Sequence, residues 1–169
     1  MKKDIIEKYR KSVSARKELG GGALLELSHE IDYANWLFGP LEVKRANLGN
    51  TDILGLDVEE SADLLFKNKN EVEISIHLDF SSRQAKRFCL ARFANGYIKW
   101  NLLDYSIEFS GMNSDKSRKV FELERDDMYL RQLEHFLDCV EKGHPPMVPL
   151  SEGMETLRLI EAARVLSRE

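Results

Sequence analysis

The side chains best suited to acid–base work lie close together in one run, GGGALLELSHEIDYANWLFGP, residues 20–40. Glu26, His29 and Tyr33 supply a carboxylate, an imidazole and a phenol at spacings of three and four residues. Histidine exchanges a proton near neutral pH, and a positioned one contributes ~10²–10⁴-fold to a rate. At about 100° per residue the three groups share one side of a helix. Leu24, Leu27, Ile31, Ala34 and Phe38 then form the opposite, apolar stripe. The spacing predicts an amphipathic helix from about Ala23, stopped by Gly39-Pro40. One face suits a core and the other suits chemistry. A plainer reading stands beside this one: a helix histidine bonded to a carbonyl or water, and a solvated Glu26. Asp32 lies between the two faces and suits a tie to a neighbouring segment.

Other polar groups are candidates by type. Tyr9 and Arg10 could reach a sugar or its acidic group, since arginine makes forked bonds to carboxylate and phosphate; a charged N-terminal arm fits them equally. His77 and Asp79 share the polar side of an alternating run, which suits a site, a subunit interface or solvent. Arg83 and Arg87 fit an anionic sugar, a nucleotide phosphate or ordinary surface charge. Trp36 and Trp100 read as packing residues. His29 with Glu26 gives at most two ligands, too few for a stable metal site. Cys89 and Cys139 lie far apart with no zinc spacing and read as reduced structural thiols.

The elements that position these groups follow from periodicity. Residues 1–19 read as an arm or a helix, and residues 20–169 as one α+β domain. From about Leu41 to Leu123 short strand-like runs replace the helical pattern. Val72, Ile74, Ile76, Leu78 and Phe80 alternate with Glu73, Ser75, His77 and Asp79, a half-buried strand with a polar face. It pairs with Ala62–Lys67 across Asn68-Lys69-Asn70. Asn95-Gly96 joins Phe88–Ala94 to Tyr97–Leu103 as a hairpin. Ser106–Ser110 and Val120–Leu123 complete the strands. Leu130, Leu133, Phe136, Leu137 and Val140 form the stripe of a later helix ended by Gly143. Ser151 caps a last helix whose buried face is Leu157, Ile160, Ala163 and Leu166. Hairpin links imply a largely antiparallel sheet with helices on one face.

The chain of 169 residues carries a net charge of -4, which gives no electrostatic reason to expect nucleic acid or an anionic membrane. No apolar run approaches the ~20 residues that span a bilayer. The N-terminus has no apolar signal core, so the cytoplasm is the default compartment.

The run from Gly20 to Asp32 resembles the first helix of the C-terminal domain in the Gfo/Idh/MocA oxidoreductases, whose pattern is a glycine run, a carboxylate and His-x-Ile-Asp. Gly20-Gly21-Gly22, Glu26 and His29-Glu30-Ile31-Asp32 carry it. Members commonly place an Asp four residues before the histidine, whereas Glu26 stands three before His29. Tyr9-Arg10-Lys11-Ser12, Ile76–Phe80, Asn95–Trp100, the segment from Asp127 to Pro146 and Gly153–Ser167 extend the similarity over nearly the whole chain. They resemble members that act on sugars for surface polysaccharides. The resemblance implies that His29 reaches a substrate carbinol and takes part in proton transfer. It also implies that Glu26, Tyr33, Tyr9, Arg10, His77 and Arg83 face a sugar-like molecule, and that the sheet mediates homo-oligomerisation.

The family's enzymes also have an N-terminal dinucleotide-binding domain. No GxGxxG follows a strand here, and the family's Glu-Lys-Pro motif is absent. The expectation is no cofactor in this chain, with NAD or NADP implied for a complete enzyme and supplied through a separate dinucleotide-binding domain. Two functions fit. One is the substrate-binding and oligomerisation domain of an NAD(P)-dependent sugar or sugar-nucleotide oxidoreductase, inactive alone. The other is a stand-alone, non-catalytic ligand-binding or assembly module derived from that domain.

Overall fold

The computed structural model describes residues 3–50, 55–111, 115–124 and 126–168. Met1 and Lys2 of the N-terminal arm lie outside the described residues. By its internal contacts the chain forms two compact units, residues 1–82 with 147–169, and residues 83–146.

The first unit begins with helix α1 (Lys3–Arg10) and two single turns of 3-10 helix, at Val13–Ala15 and Lys17–Leu19. Helices α2 (Ala23–Glu26) and α3 (Ser28–Phe38) follow, then strands β1 (Leu41–Gly49), β2 (Ser61–Asn68) and β3 (Glu73–Asp79). These strands form an antiparallel sheet in the order β1-β2-β3. Alternation decides which side chains enter the core. Ala62, Leu64 and Phe66 of β2 and Leu78 of β3 are buried with Leu24, Ile31, Ile160 and Ala163 from the helices. Asp63, Ser75 and His77 point to the uncovered face. The connection after β2 is a built turn. The Asn68 Oδ1 accepts the amides of Asn70 and Val72 at 2.9 and 3.1 Å, and Glu71 takes a positive φ of 60°.

Helix α5 (Leu150–Leu166), which closes the chain, lies against β1 and α3. Its buried residues are Thr156, Leu159, Ile160 and Ala163. Leu157, expected on that face, is 47% exposed, and Leu159 takes its place in the core. Ser151 is already inside the helix, which starts after Pro149.

The helix expected from Ala23 to Phe38 is broken at Leu27, whose φ of -105° and ψ of 21° interrupt it. The two halves are anchored to different parts of the core. The α2 amide of Ala23 donates to the Glu59 carbonyl at 3.0 Å. In α3 the Asp32 carboxylate accepts the Thr156 hydroxyl of α5 at 2.8 Å. Gly39 ends α3 as expected, its amide on the Asn35 carbonyl at 2.8 Å.

The second unit holds β4 (Phe88–Phe93), β5 (Gly96–Asn101), β6 (Ser106–Gly111) and β7 (Ser117–Val120), an antiparallel sheet in chain order, and α4 (Asp127–Lys142). Asn95-Gly96 makes the β4–β5 turn, with Gly96 at φ 152°. Strand β7 ends at Val120, where the sequence placed its start: Glu108 pairs with Arg118 and Ile107 with Lys119, so polar residues fill this edge strand. The α4 stripe exists, but Leu130, Leu133, Phe136, Leu137 and Val140 are each 54–65% exposed. The fold is α+β with antiparallel strands in two sheets.

Candidate functional site

The glycine run is shaped by its backbone. Gly22 adopts φ 112°, a region that side chains rarely enter, and a Cβ there would overlap the Glu59 carboxylate. That carboxylate accepts the Leu24 amide at 3.2 Å and so caps the first turn of α2. Arg164 of α5 approaches the same oxygen at 3.9 Å. One acidic side chain therefore ties α2, the chain entering β2 and the last helix together.

The next residue, Glu60, has no exposed surface. Adjacent residues in extended chain point to opposite sides, so Glu59 faces Arg164 while Glu60 lies toward Tyr9. The Tyr9 ring meets Phe80 edge-on at 6.1 Å. Its phenol is pushed above the ordinary value of 10.0, first by burial and then by the negative charges of Glu26 and Glu60. Tyr9 is therefore a neutral hydroxyl across the physiological range, able to donate and accept. The exposed Glu26 at the end of α2 supplies an acceptor near it. His29 follows in the first turn of α3, its side chain 48% exposed and Nε2 3.2 Å from Glu30. A phenol, a carboxylate and an accessible imidazole on neighbouring elements can hold hydroxyl groups and exchange a proton with one.

Tyr33 is half-buried on α3, and Arg10 is exposed on α1. His77 lies on the face of the sheet that the helices do not cover. There its Nδ1 is 2.7 Å from the Asp63 carboxylate and its Nε2 3.4 Å from that of Asp79. Its pKa is raised, chiefly by the bond to Asp63. His77 thus does not join Tyr9 and Glu26. Arg83 belongs to the second unit. Asp32 is the helix tie already described. Glu59 and Glu60 carry no periodic or motif signal; the only hint is an acidic pair just ahead of an alternating strand.

A dinucleotide's pyrophosphate needs free amides at a strand–helix turn. The glycine run does not fit that role. The amides of Gly20, Gly21 and Gly22 donate to the carbonyls of Lys17, Arg16 and Ser14, each at 3.0 Å, and among the described residues no strand leads into them. Those three amides are therefore not free for a pyrophosphate. Among the described residues no group of three metal-binding side chains is found.

The family model of the GFO/IDH/MocA C-terminal domain matches residues 3–99, more than half of the chain. The chain belongs to the Gfo/Idh/MocA family. The match contains Tyr9, the glycine run, Glu26, His29, Glu59 and Glu60. No match is found among curated proteins. Several solved structures share the fold. Aldose-aldose oxidoreductase from Caulobacter crescentus is 17% identical with a TM-score of 0.81, over 94% of this chain and 49% of that one. Levoglucosan dehydrogenase, in complex with NADH, is 14% identical with a TM-score of 0.81, over 93% and 51%. A 3-ketoreductase from Actinomadura kijaniata, with NADP and TDP-benzene, is 18% identical with a TM-score of 0.78, over 92% and 49%. The chain spans about half the length of these relatives, and identities this low establish the fold alone.

Proposed function

We propose that this chain is the substrate-binding part of an NAD(P)-dependent sugar or sugar-nucleotide oxidoreductase. Glu26 and Tyr9 hold the hydroxyls of a sugar, and His29 carries the proton of the hydroxyl that becomes a carbonyl. Hydride chemistry belongs to a dinucleotide-binding part outside these residues. The observation that carries the reading is the approach of Glu26 to the neutral Tyr9 phenol, with an accessible His29 three residues further along the chain, within the segment that matches the family. The structural relatives support it: a levoglucosan dehydrogenase in complex with NADH, and a 3-ketoreductase in complex with NADP and TDP-benzene. We further infer self-association through the uncovered, polar face of β1–β3.

The test is a version of the protein joined to a dinucleotide-binding domain. His29→Asn should lower its turnover ~10²-fold or more and leave its unfolding midpoint in place. An enzyme indifferent to the change would remove His29 from the chemistry.

A further inference from the structure

We propose that Glu60 is a positioning residue that acts through Tyr9: it confines that phenol to holding a hydroxyl group and leaves proton exchange to His29. This role presupposes the site of Tyr9, Glu26 and His29 proposed above.

The place of Glu60 in the fold is unusual for a carboxylate. From Leu56 to Phe66 every second residue is buried: Leu56, Val58, Glu60, Ala62, Leu64 and Phe66. Five of the six are apolar, and Glu60, with no exposed surface, breaks the series. Taking a carboxylate out of water is costly, and a well-packed apolar side chain in its place is often neutral or stabilising. Packing alone therefore does not account for an acid here.

The backbone fixes what stands beside it. The Glu60 amide donates to the Gly49 carbonyl at 2.8 Å, and its carbonyl accepts the Phe80 amide at 2.9 Å. These bonds extend the sheet one residue beyond Ser61, which pairs with Gly49 and Asp79. Side chains two apart on a strand share a face. Glu60 thus takes the face of buried Ala62, and Phe80 takes the face of buried Leu78, the one that the helices cover. The Tyr9 ring meets Phe80 edge-on at 6.1 Å, and both pack against Ala15, Leu56 and Val58. Glu60 is accordingly set between Val58 and Ala62 along its own chain and opposite Phe80, behind the phenol.

The charges that act on that phenol are the carboxylates of Glu26, on α2, and Glu60, ahead of β2; after burial itself they raise its pKa in that order. The two differ in access. Glu26 is exposed, so salt and a bound ligand both reach it. Glu60 is buried, and its charge persists when a ligand engages Glu26. A phenol held against two negative charges gives up its proton reluctantly. It donates a hydrogen bond to a sugar oxygen without surrendering the proton as that oxygen changes charge. Transfer then falls to the imidazole, whose ordinary range lies near neutrality.

The experiment is an alkaline titration of the full chain, isotope-labelled at the tyrosine ring carbon that bears the hydroxyl and read by nuclear magnetic resonance. Tyr9→Phe assigns the Tyr9 signal. In the wild type Tyr9 should ionise above the ordinary 10.0. Glu60→Gln, close in size but uncharged, should raise the ionisation constant of Tyr9 about twofold or more and leave Tyr97, in the second unit, unmoved. Glu60→Asp keeps the charge and should leave Tyr9 closer to the wild type than Glu60→Gln does. Four results would overturn the proposal: a wild-type midpoint at or below 10.0, a Tyr9 signal indifferent to Glu60→Gln, equal effects of the two substitutions, or a Glu60→Gln chain that does not fold, which would make the carboxylate a part of the core. None of these readouts needs a sugar. A chain that binds no sugar while Tyr9 responds as expected would fail the substrate reading alone.

Discussion

Replacing Gly22 by alanine probes the joint that sets the direction of α2. Two costs arise at once. A φ of 112° with ψ 154° is close to a region occupied almost only by glycine, and a side chain there costs ~1–3 kcal/mol. The new Cβ also overlaps the Glu59 carboxylate, which must leave the Leu24 amide. Losing such a helix cap costs ~1 kcal/mol. The expected destabilisation is therefore roughly 2–4 kcal/mol, a large share of the ~5–15 kcal/mol that holds a domain together. Gly143→Ala is the control. Its φ of 68° is also left-handed, but a Cβ there meets nothing within 4 Å, so only a backbone cost of ~1–2 kcal/mol applies. Urea unfolding followed by far-ultraviolet circular dichroism measures both. If Gly22→Ala cost no more than Gly143→Ala, the crowding argument at Glu59 would be wrong.

Thr156→Val keeps the shape of the residue but removes the hydroxyl bound to Asp32 at 2.8 Å; a loss of ~1–3 kcal/mol is expected in the same assay, and a change within ~0.5 kcal/mol would dismiss that bond as the anchor of α3. His77 has its folded pKa raised above 6.5, first by its bond to Asp63. Its contribution to stability is therefore fully present below the unfolded value and lost as pH rises through the raised one. Unfolding midpoints measured on both sides of that window should fall with pH more steeply for the wild type than for His77→Gln, and parallel profiles would contradict the assignment. Light scattering at micromolar concentration should give a mass above the monomer if the uncovered sheet face pairs with a copy of itself; a strictly monomeric mass would count against that interface.

Parts of the architecture are legible in the residues because one physical signal dominates there. Val72–Phe80 alternates cleanly, so β3 and its buried Leu78 are readable, and Asn95-Gly96 dictates a hairpin. Leu24, Ile31 and Ala34 are buried as the helical stripe requires. The break at Leu27 is not legible, because it comes from two tertiary anchors, Glu59 and Thr156, that lie far away in sequence. Strand β7 is hidden for a similar reason. Ser117-Arg118-Lys119 has no apolar pattern, and pairing with β6 alone makes it a strand. At the site, helical spacing makes Glu26 and His29 visible. Glu60 is not, since a buried carboxylate follows no periodicity, and only the folded chain brings it toward Tyr9. His77 lies on the polar face of β3, where the alternation of the strand puts it.

Calorimetric titration of the chain with a set of nucleotide-linked sugars, and separately with NADH and NADPH, tests the central claim most directly. The account predicts a saturable complex with at least one sugar ligand, weakened about tenfold or more by the pair Tyr9→Phe, Glu26→Gln through the loss of two hydrogen bonds. It predicts no saturable complex with either dinucleotide, because the three glycine amides are already engaged. Saturable one-to-one binding of NADH or NADPH with no sugar bound would contradict it.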